Sequence, residues 1–273
     1  MPETVASVKK RLARKKLKID GETYFVAEGD LLLDTDQLEI YVEQLNLKEQ
    51  QKELTKSVGA MGVSTIDPSR SALVGILVGG KLVRWKEGKV LKYCVLKNTF
   101  ADDTEYLTAR QAVEKATQAW EDTCGIKFDH VISKDTSTTT RVKGVTFTVR
   151  KIDANGMFIA SAFFPNDPPE RRRVLIDPSF FADNLGFDRV GVLRHELGHV
   201  LGFRHEHIRS EAPSNCPDED LADTLDLTAY DPKSVMHYFC GGVGSLELLI
   251  TTVDVTGAQR VYGSPFNTYT FVD

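Results

Sequence analysis

Apolar residues at Val190, Val192, Leu193, Leu197, Val200 and Leu201 recur three and four positions apart, the period of a helix face. The spacing predicts a helix over 190–202, with Gly202 placed to stop it. Ala112, Val113, Ala116 and Trp120 repeat that period and predict a second helix over 109–120. Four segments read as strands instead: 90–96 is rich in strand formers, 142–151 alternates, 157–164 is an apolar run, and 173–176 is another, ended by Asp177-Pro178. A final helix is expected over 251–262, begun near Asp254, and the whole suggests a layered sheet with helices.

Residues 1 to about 70 read as a separate unit with little apolar surface of its own: a basic start, a strand at 23–26, the turn Glu28-Gly29-Asp30, then a polar helix to about Lys56. Gly62, Ser64, Asp67, Pro68 and Ser69 mark a linker, so a boundary is expected there, with 1–70 as one unit and 71–273 as the other.

Composition narrows the classes. With 273 residues, 41% hydrophobic and 27% charged, the chain is long enough and apolar enough to fold as an ordinary globule. A net charge of −5 argues against nucleic-acid binding, and the basic residues between Lys9 and Lys18 read as a solvated arm. No window approaches the roughly 18 apolar residues that span a bilayer, and the first thirty residues lack the apolar centre of a secretory signal. Either a leader has been removed or export takes another route. Cys94, Cys124, Cys216 and Cys240 have no C-x-x-C spacing, and Cys216 with Cys240 is a plausible disulfide in an oxidising compartment. Asp218, Glu219, Asp220, Asp223 and Asp226 fit no calcium loop and read as solvated, as do Arg171, Arg172 and Arg173, although these arginines could favour acidic substrate residues.

His195-Glu196-Leu197-Gly198-His199 carries the chemistry. Imidazoles four residues apart lie about 40° apart around a helix, so His195 and His199 can share a cation. A catalytic zinc needs a third protein ligand and an open position for water, and His205 follows Gly202, whose backbone freedom suits a sharp turn back to the metal. Glu196 points about 100° away from His195, where it reaches a water rather than the metal, and is the natural general base. His130 and His207 read as surface or structural residues, because only His205 completes the spacing.

The run from His195 to His205 resembles the H-E-x-x-H-x-x-G-x-x-H signature of metzincins. Ser234-Val235-Met236-His237-Tyr238 is similar to the Met-turn of astacins, and Gly202-Phe203-Arg204-His205-Glu206 and Thr123-Cys124-Gly125-Ile126-Lys127-Phe128 also resemble astacin segments. The resemblance implies an α+β metzincin fold: a twisted, mostly parallel mixed sheet with an antiparallel edge strand, two long helices including the active-site helix, and an irregular C-terminal subdomain. It divides the catalytic unit into an upper part, 71–202, and a lower part, 203–273. It makes Met236 the floor of the metal site, Tyr238 a switchable zinc ligand that helps catalysis, and Glu206 the partner of a new N-terminal amine after activation.

By the same resemblance residues 1–70 are a propeptide, an inhibitor within the chain, and Phe25 to Asp30 looks like the segment with which astacin propeptides block zinc through an aspartate, here Asp30. Two extra residues separate Phe25 from Gly29 relative to that pattern. The usual cysteine partner of Cys124 is absent from 260–273, His207 replaces a glutamine, and 159–165 looks more like matrixins. An extended protein or peptide substrate is expected to pair with the edge strand at Ala160, Ser161, Ala162 and Phe163. The family implies a secreted monomeric zinc endopeptidase, with activation between about Lys56 and Leu77, Arg70-Ser71 being attractive. The rivals are a zinc hydrolase of other amides or an aminopeptidase, and a non-catalytic protein with the same fold.

Overall fold

A computed structural model describes residues 3–27, 29–43, 45–46, 73–209, 211–213, 216 and 224–265. The expected linker, Arg70-Ser71 and most of the acidic stretch at 218–223 lie outside the described residues. The chain starts with helix α1 (Val5–Arg11), opened by a capping box in which the Thr4 and Ser7 side chains each accept the other's backbone N–H. Strands β1 (Lys16–Ile19) and β2 (Glu22–Ala27) form a hairpin. The pair Asp20-Gly21 turns it with φ of 53° and 86°, the left-handed conformation a two-residue hairpin loop needs. Strand β3 (Leu31–Leu33) pairs with β2, and helix α2 (35–43) follows. The basic stretch from Lys9 to Lys18 is therefore built into α1 and β1 rather than forming an arm.

The expectation of little apolar surface in this unit is overturned. Val8, Leu12, Phe25, Leu33, Leu38 and Val42 form a small core of their own. The period-2 alternation of the hairpin sends Leu17, Ile19, Tyr24 and Val26 the other way, onto Ala154, Phe158 and Leu175 of the following unit.

Strands β4 (Val74–Val78) and β5 (Lys81–Leu82) come next, and β4 also pairs with two short strands from much later in the chain, β11 (Phe203–Arg204) and β12 (Thr224–Asp226). This small sheet was not foreseen, because its strands are two to five residues long and too brief to show a period.

The main sheet has the order β7-β6-β8-β10-β9, with β6 (Val90–Val95), β7 (Lys127–His130), β8 (Phe147–Lys151), β9 (Ala160–Ser161) and β10 (Arg173–Ile176). All its pairs are parallel except β9 on β10, so it is mostly parallel with an antiparallel edge strand, as expected. Helix α3 (Asp103–Thr123) buries Ala109, Ala112, Val113, Ala116 and Trp120 against this sheet and helix α4 (Arg189–Val200), and helix α5 (Thr252–Tyr262) closes the lower part. The indole of Trp120 donates to the Arg194 carbonyl at 2.9 Å, tying α3 to α4.

Two strands are shorter than the pattern suggested. Strand β8 starts at Phe147 rather than 142, and the run 157–164 yields only Ala160–Ser161. Ala162 and Phe163 lie beyond β9, because this run is apolar for packing rather than pairing: Phe158 enters the core under the N-terminal hairpin and Phe163 enters the main core. Cys216 and Cys240 form a disulfide, while Cys94 and Cys124 are free and buried. Burial pushes those thiols up to about 11 and about 12, so they are protonated at neutral pH.

Candidate metal and active site

Helix α4 starts at Asp188, whose carboxylate accepts from the Gly191 N–H at 2.7 Å and pairs with Arg194 at 3.1 Å. Every residue from Gly191 to Val200 is buried, and the slot is tight enough that a Cβ on Gly198 would collide with the Met236 sulfur and lie 3.4 Å from Trp120. Met236 is thus packed directly under the helix turn that carries the histidines. The helix ends into Gly202, whose φ of 93° is the left-handed conformation expected there, and the chain returns His205 to the same spot.

The histidines arrive with their tautomers set. His195 Nδ1 donates to the Val235 carbonyl at 2.8 Å and His199 Nδ1 donates to the Phe203 carbonyl at 2.7 Å, which leaves both Nε2 atoms as lone-pair acceptors. His199 Nε2 and His205 Nε2 face each other at 3.1 Å. Buried His195 Nε2 has no hydrogen-bond partner and lies 3.5 Å from Asp30 Oδ2. One ligand atom from each histidine and one from Asp30 all lie within 4.8 Å of one another. Acceptors so crowded in a buried site suit a bound cation, and a set of imidazoles with one carboxylate is the donor chemistry of zinc.

Asp30 sits at the centre. Its Oδ2 is 3.3 Å from His205 Nε2 and accepts from the Tyr238 hydroxyl at 2.8 Å, while its backbone carbonyl accepts from Ser161 Oγ at 2.5 Å. Burial works to raise its pKa, but His205, His195 and His199 outweigh burial and hold it well below the ordinary value. Gly29 beside it has φ of 89°, and a Cβ there would lie 2.6 Å from the Tyr238 oxygen, so this approach requires glycine. The Tyr238 ring stacks on His207 at 4.3 Å. His207 is buried rather than on the surface, although it is not among the converging ligand atoms.

Glu196 is buried, with Oε2 lacking a hydrogen-bond partner. Burial first, and repulsion from Asp30 second, push its pKa well above the ordinary value. A cavity of about 340 Å³ opens beside it, floored by Ala160, Ile159, Val192 and Leu248 and reaching Tyr238. Glu206 is fully buried, and its carboxylate accepts from the Leu73 N–H at 3.0 Å and the Asp231 N–H at 3.1 Å. Burial raises its pKa to about 8 against those hydrogen bonds and Arg209.

Sequence reasoning missed Asp254, which is fully buried at the start of α5. It accepts from Ser234 Oγ at 2.6 Å and from the Val235 N–H at 2.9 Å, and the Val235 carbonyl is the group that orients His195. The signal available was the capping pair Thr251 and Asp254 at the start of the last helix.

Two imidazoles on an H-E-x-x-H helix, a third brought back after Gly202, and a neighbouring buried glutamate are the arrangement of a zinc peptidase site. The matrixin family model matches residues 84–213. Zinc metalloproteinase nas-2 of Caenorhabditis elegans is 35% identical over 75 residues, covering 24% of this chain and 24% of that protein. High choriolytic enzyme 1 of Oryzias latipes is 38% identical over 61 residues, 18% of this chain and 23% of that protein. The chain therefore spans about a quarter of the length of these curated relatives. The structure of myroilysin aligns with 17% identity and a TM-score of 0.45 over 66% of this chain and 95% of that one. The chain thus resembles metzincin zinc peptidases, matching the matrixin model over less than half of its length and astacin-type relatives over short stretches at low identity. Among the described residues no helix is long and apolar enough to cross a membrane.

Proposed function

We propose that this chain is a secreted, monomeric zinc endopeptidase kept latent by its own residues 1–70, with Asp30 as the blocking group. The observation that carries the reading is the Asp30 carboxylate lodged among His195, His199 and His205, fastened by the Tyr238 hydroxyl. When bound there, zinc supplies Lewis acidity and lowers the pKa of water toward about 7.

The remaining steps belong to side chains. Glu196 takes the proton from the attacking water and delivers it to the leaving amine, a role served by its raised pKa and its unpartnered Oε2. Tyr238 already donates to an anionic oxygen in the latent state, so with Asp30 gone the same hydroxyl is available to the carbonyl oxygen as it gains charge. Substrate pairs through its backbone with the edge at Ala160–Ser161, continuing past Ala162 and Phe163, which favours cleavage within a chain rather than at its end.

Activation follows from Glu206. Its buried carboxylate already holds the Leu73 N–H, and Leu73 has a φ of 58°, unusual for a branched side chain. A cut close upstream, at Arg70-Ser71 or at Ala72-Leu73, would deliver an ammonium group to this carboxylate. Mass spectrometry of the incubated wild-type chain and of Asp30→Ala tests the reading, with casein hydrolysis measured with and without a chelator. Faster processing by Asp30→Ala and chelator-sensitive hydrolysis are expected. Unchanged processing would sink the aspartate block, and hydrolysis that survives the chelator would sink the zinc mechanism.

A further inference from the structure

The outer face of the main sheet carries a feature that the zinc chemistry does not use. In the register of β8, β10 and β9, Arg150 stands opposite Leu175 and Leu175 opposite Ser161, so the three share one row across the sheet. Strands are about 4.8 Å apart, which puts Arg150 about 10 Å from the edge strand, along a row that ends at the hydroxyl holding Asp30. Arg173 lies on the same face, on the strand between them.

In the latent chain this row is covered. The Arg150 guanidinium grips the Asp20 carboxylate with both of its terminal nitrogens, at 2.9 and 2.5 Å, and Arg173 lies 3.9 Å from the same carboxylate. The Arg173 guanidinium also stands 4.8 Å over the Tyr24 ring. Burial works to raise the Asp20 pKa, yet the two arginines hold it below the ordinary value. Among the described residues, Asp20 is the acidic partner of both arginines. Arg150 Nε is buried without a partner, so the site has a donor to spare.

These arginines belong to the peptidase body, while their partner belongs to the unit proposed to leave. They flank an apolar patch of Ala154, Phe158 and Leu175 that Tyr24 and the hairpin cover. Neither arginine is among the residues of the main core beneath. We propose that Arg150 and Arg173 form a second substrate-binding surface, which takes an acidic residue next to an aromatic ring in a protein substrate once the hairpin has gone. The inference rests on the zymogen reading above. The hairpin mimics the ligand: its chain runs from Asp20 at the arginines to Asp30 at the histidines, as a substrate reaching from this surface to the zinc would. Arg171, which pairs with Asp34, extends the basic surface toward Asp167.

The test compares three blocked peptides cleaved by the processed chain: a short one, and two that add a flexible linker and a copy of Asp20 to Tyr24, one at each end. The extension on at least one end should raise kcat/KM about tenfold, a gain equal to one charged hydrogen-bond pair, and about 1 M salt should remove it. Arg150→Gln should bring the ratio close to one while kcat/KM for the short peptide stays at the wild-type value, which also shows that the variant folds. Arg173→Gln should lower the ratio in the same direction. A wild-type ratio of one, or a ratio that survives both substitutions, would overturn the inference and leave the endopeptidase reading intact. A gain abolished by a sulfated polysaccharide but not by free Asp20-to-Tyr24 peptide would overturn it in favour of a polysaccharide site. If the processed wild-type chain cleaves none of the peptides, the endopeptidase reading fails and this inference fails with it.

Discussion

Replacing Asp254 by alanine should damage the metal site from a distance, because this side chain lies two hydrogen bonds behind His195. The substitution removes the acceptor of Ser234 Oγ at 2.6 Å, of the Val235 N–H at 2.9 Å and of the Thr251 N–H at 2.9 Å. Ser234 and Val235 are fully buried, so water does not replace the lost partner. Each stranded buried donor costs about 1–3 kcal/mol, and losing the Asp254 half of the capping box costs about 1 kcal/mol more. A total of about 3–7 kcal/mol is a large share of a typical stability of about 5–15 kcal/mol. Asp254→Asn keeps one acceptor oxygen and should lose about half as much, which makes it the safer probe. Because the Val235 carbonyl fixes the His195 tautomer, zinc affinity should fall about 10–100-fold in either variant. Urea unfolding measures the first effect, and competition with a chelator of known affinity measures the second. Unchanged stability would refute the burial argument, and lower stability with wild-type zinc affinity would refute the link to His195.

Two further outcomes follow from the geometry. His130 bridges Asp135 at 2.9 Å and Glu114 at 3.2 Å and stacks on Tyr93, while the Tyr106 hydroxyl donates to the same Asp135. Burial works to lower its pKa, but Asp135 and Glu114 outweigh burial and leave it raised. Its stabilisation should therefore be complete below the unfolded value of about 6.5 and be lost as pH rises through the higher folded value. His130→Gln should flatten the stability difference between pH 5 and 8, and an unaltered pH profile would refute the assignment. Gly29→Ala forces a left-handed alanine against Tyr238, at a cost of about 1–2 kcal/mol in backbone alone. Hydrolysis of a blocked peptide by the unprocessed chain should rise about tenfold, and no rise would show that Asp30 stays seated without glycine.

The legible parts of the chain were those with long periods or rigid spacing. Helix α4 and strand β10 fall where the apolar pattern put them, and His195, His199 and His205 converge as their spacing required. What was hidden depends on contacts between distant segments. The apolar positions of the N-terminal unit are divided between its own core and the surface of the following unit, so neither half looked sufficient alone. Arg173 read as a solvated charge and Arg150 went unmarked within its strand, until the hairpin placed Asp20 against both. Asp254 marked only the start of the last helix, and only the fold shows that its carboxylate, besides closing the capping box with Thr251, supports the turn beneath the metal.

Metal analysis of the purified chain and of its His195→Ala, His199→Ala and Glu196→Gln variants, paired with endopeptidase assays after processing, tests the zinc peptidase account most directly. One tightly held zinc per chain is expected in the wild type and in Glu196→Gln, with hydrolysis abolished in Glu196→Gln, and zinc lost from both histidine variants. A wild-type chain that takes up no zinc after loading, or a Glu196→Gln variant that still cleaves its substrate at the wild-type rate, would contradict it.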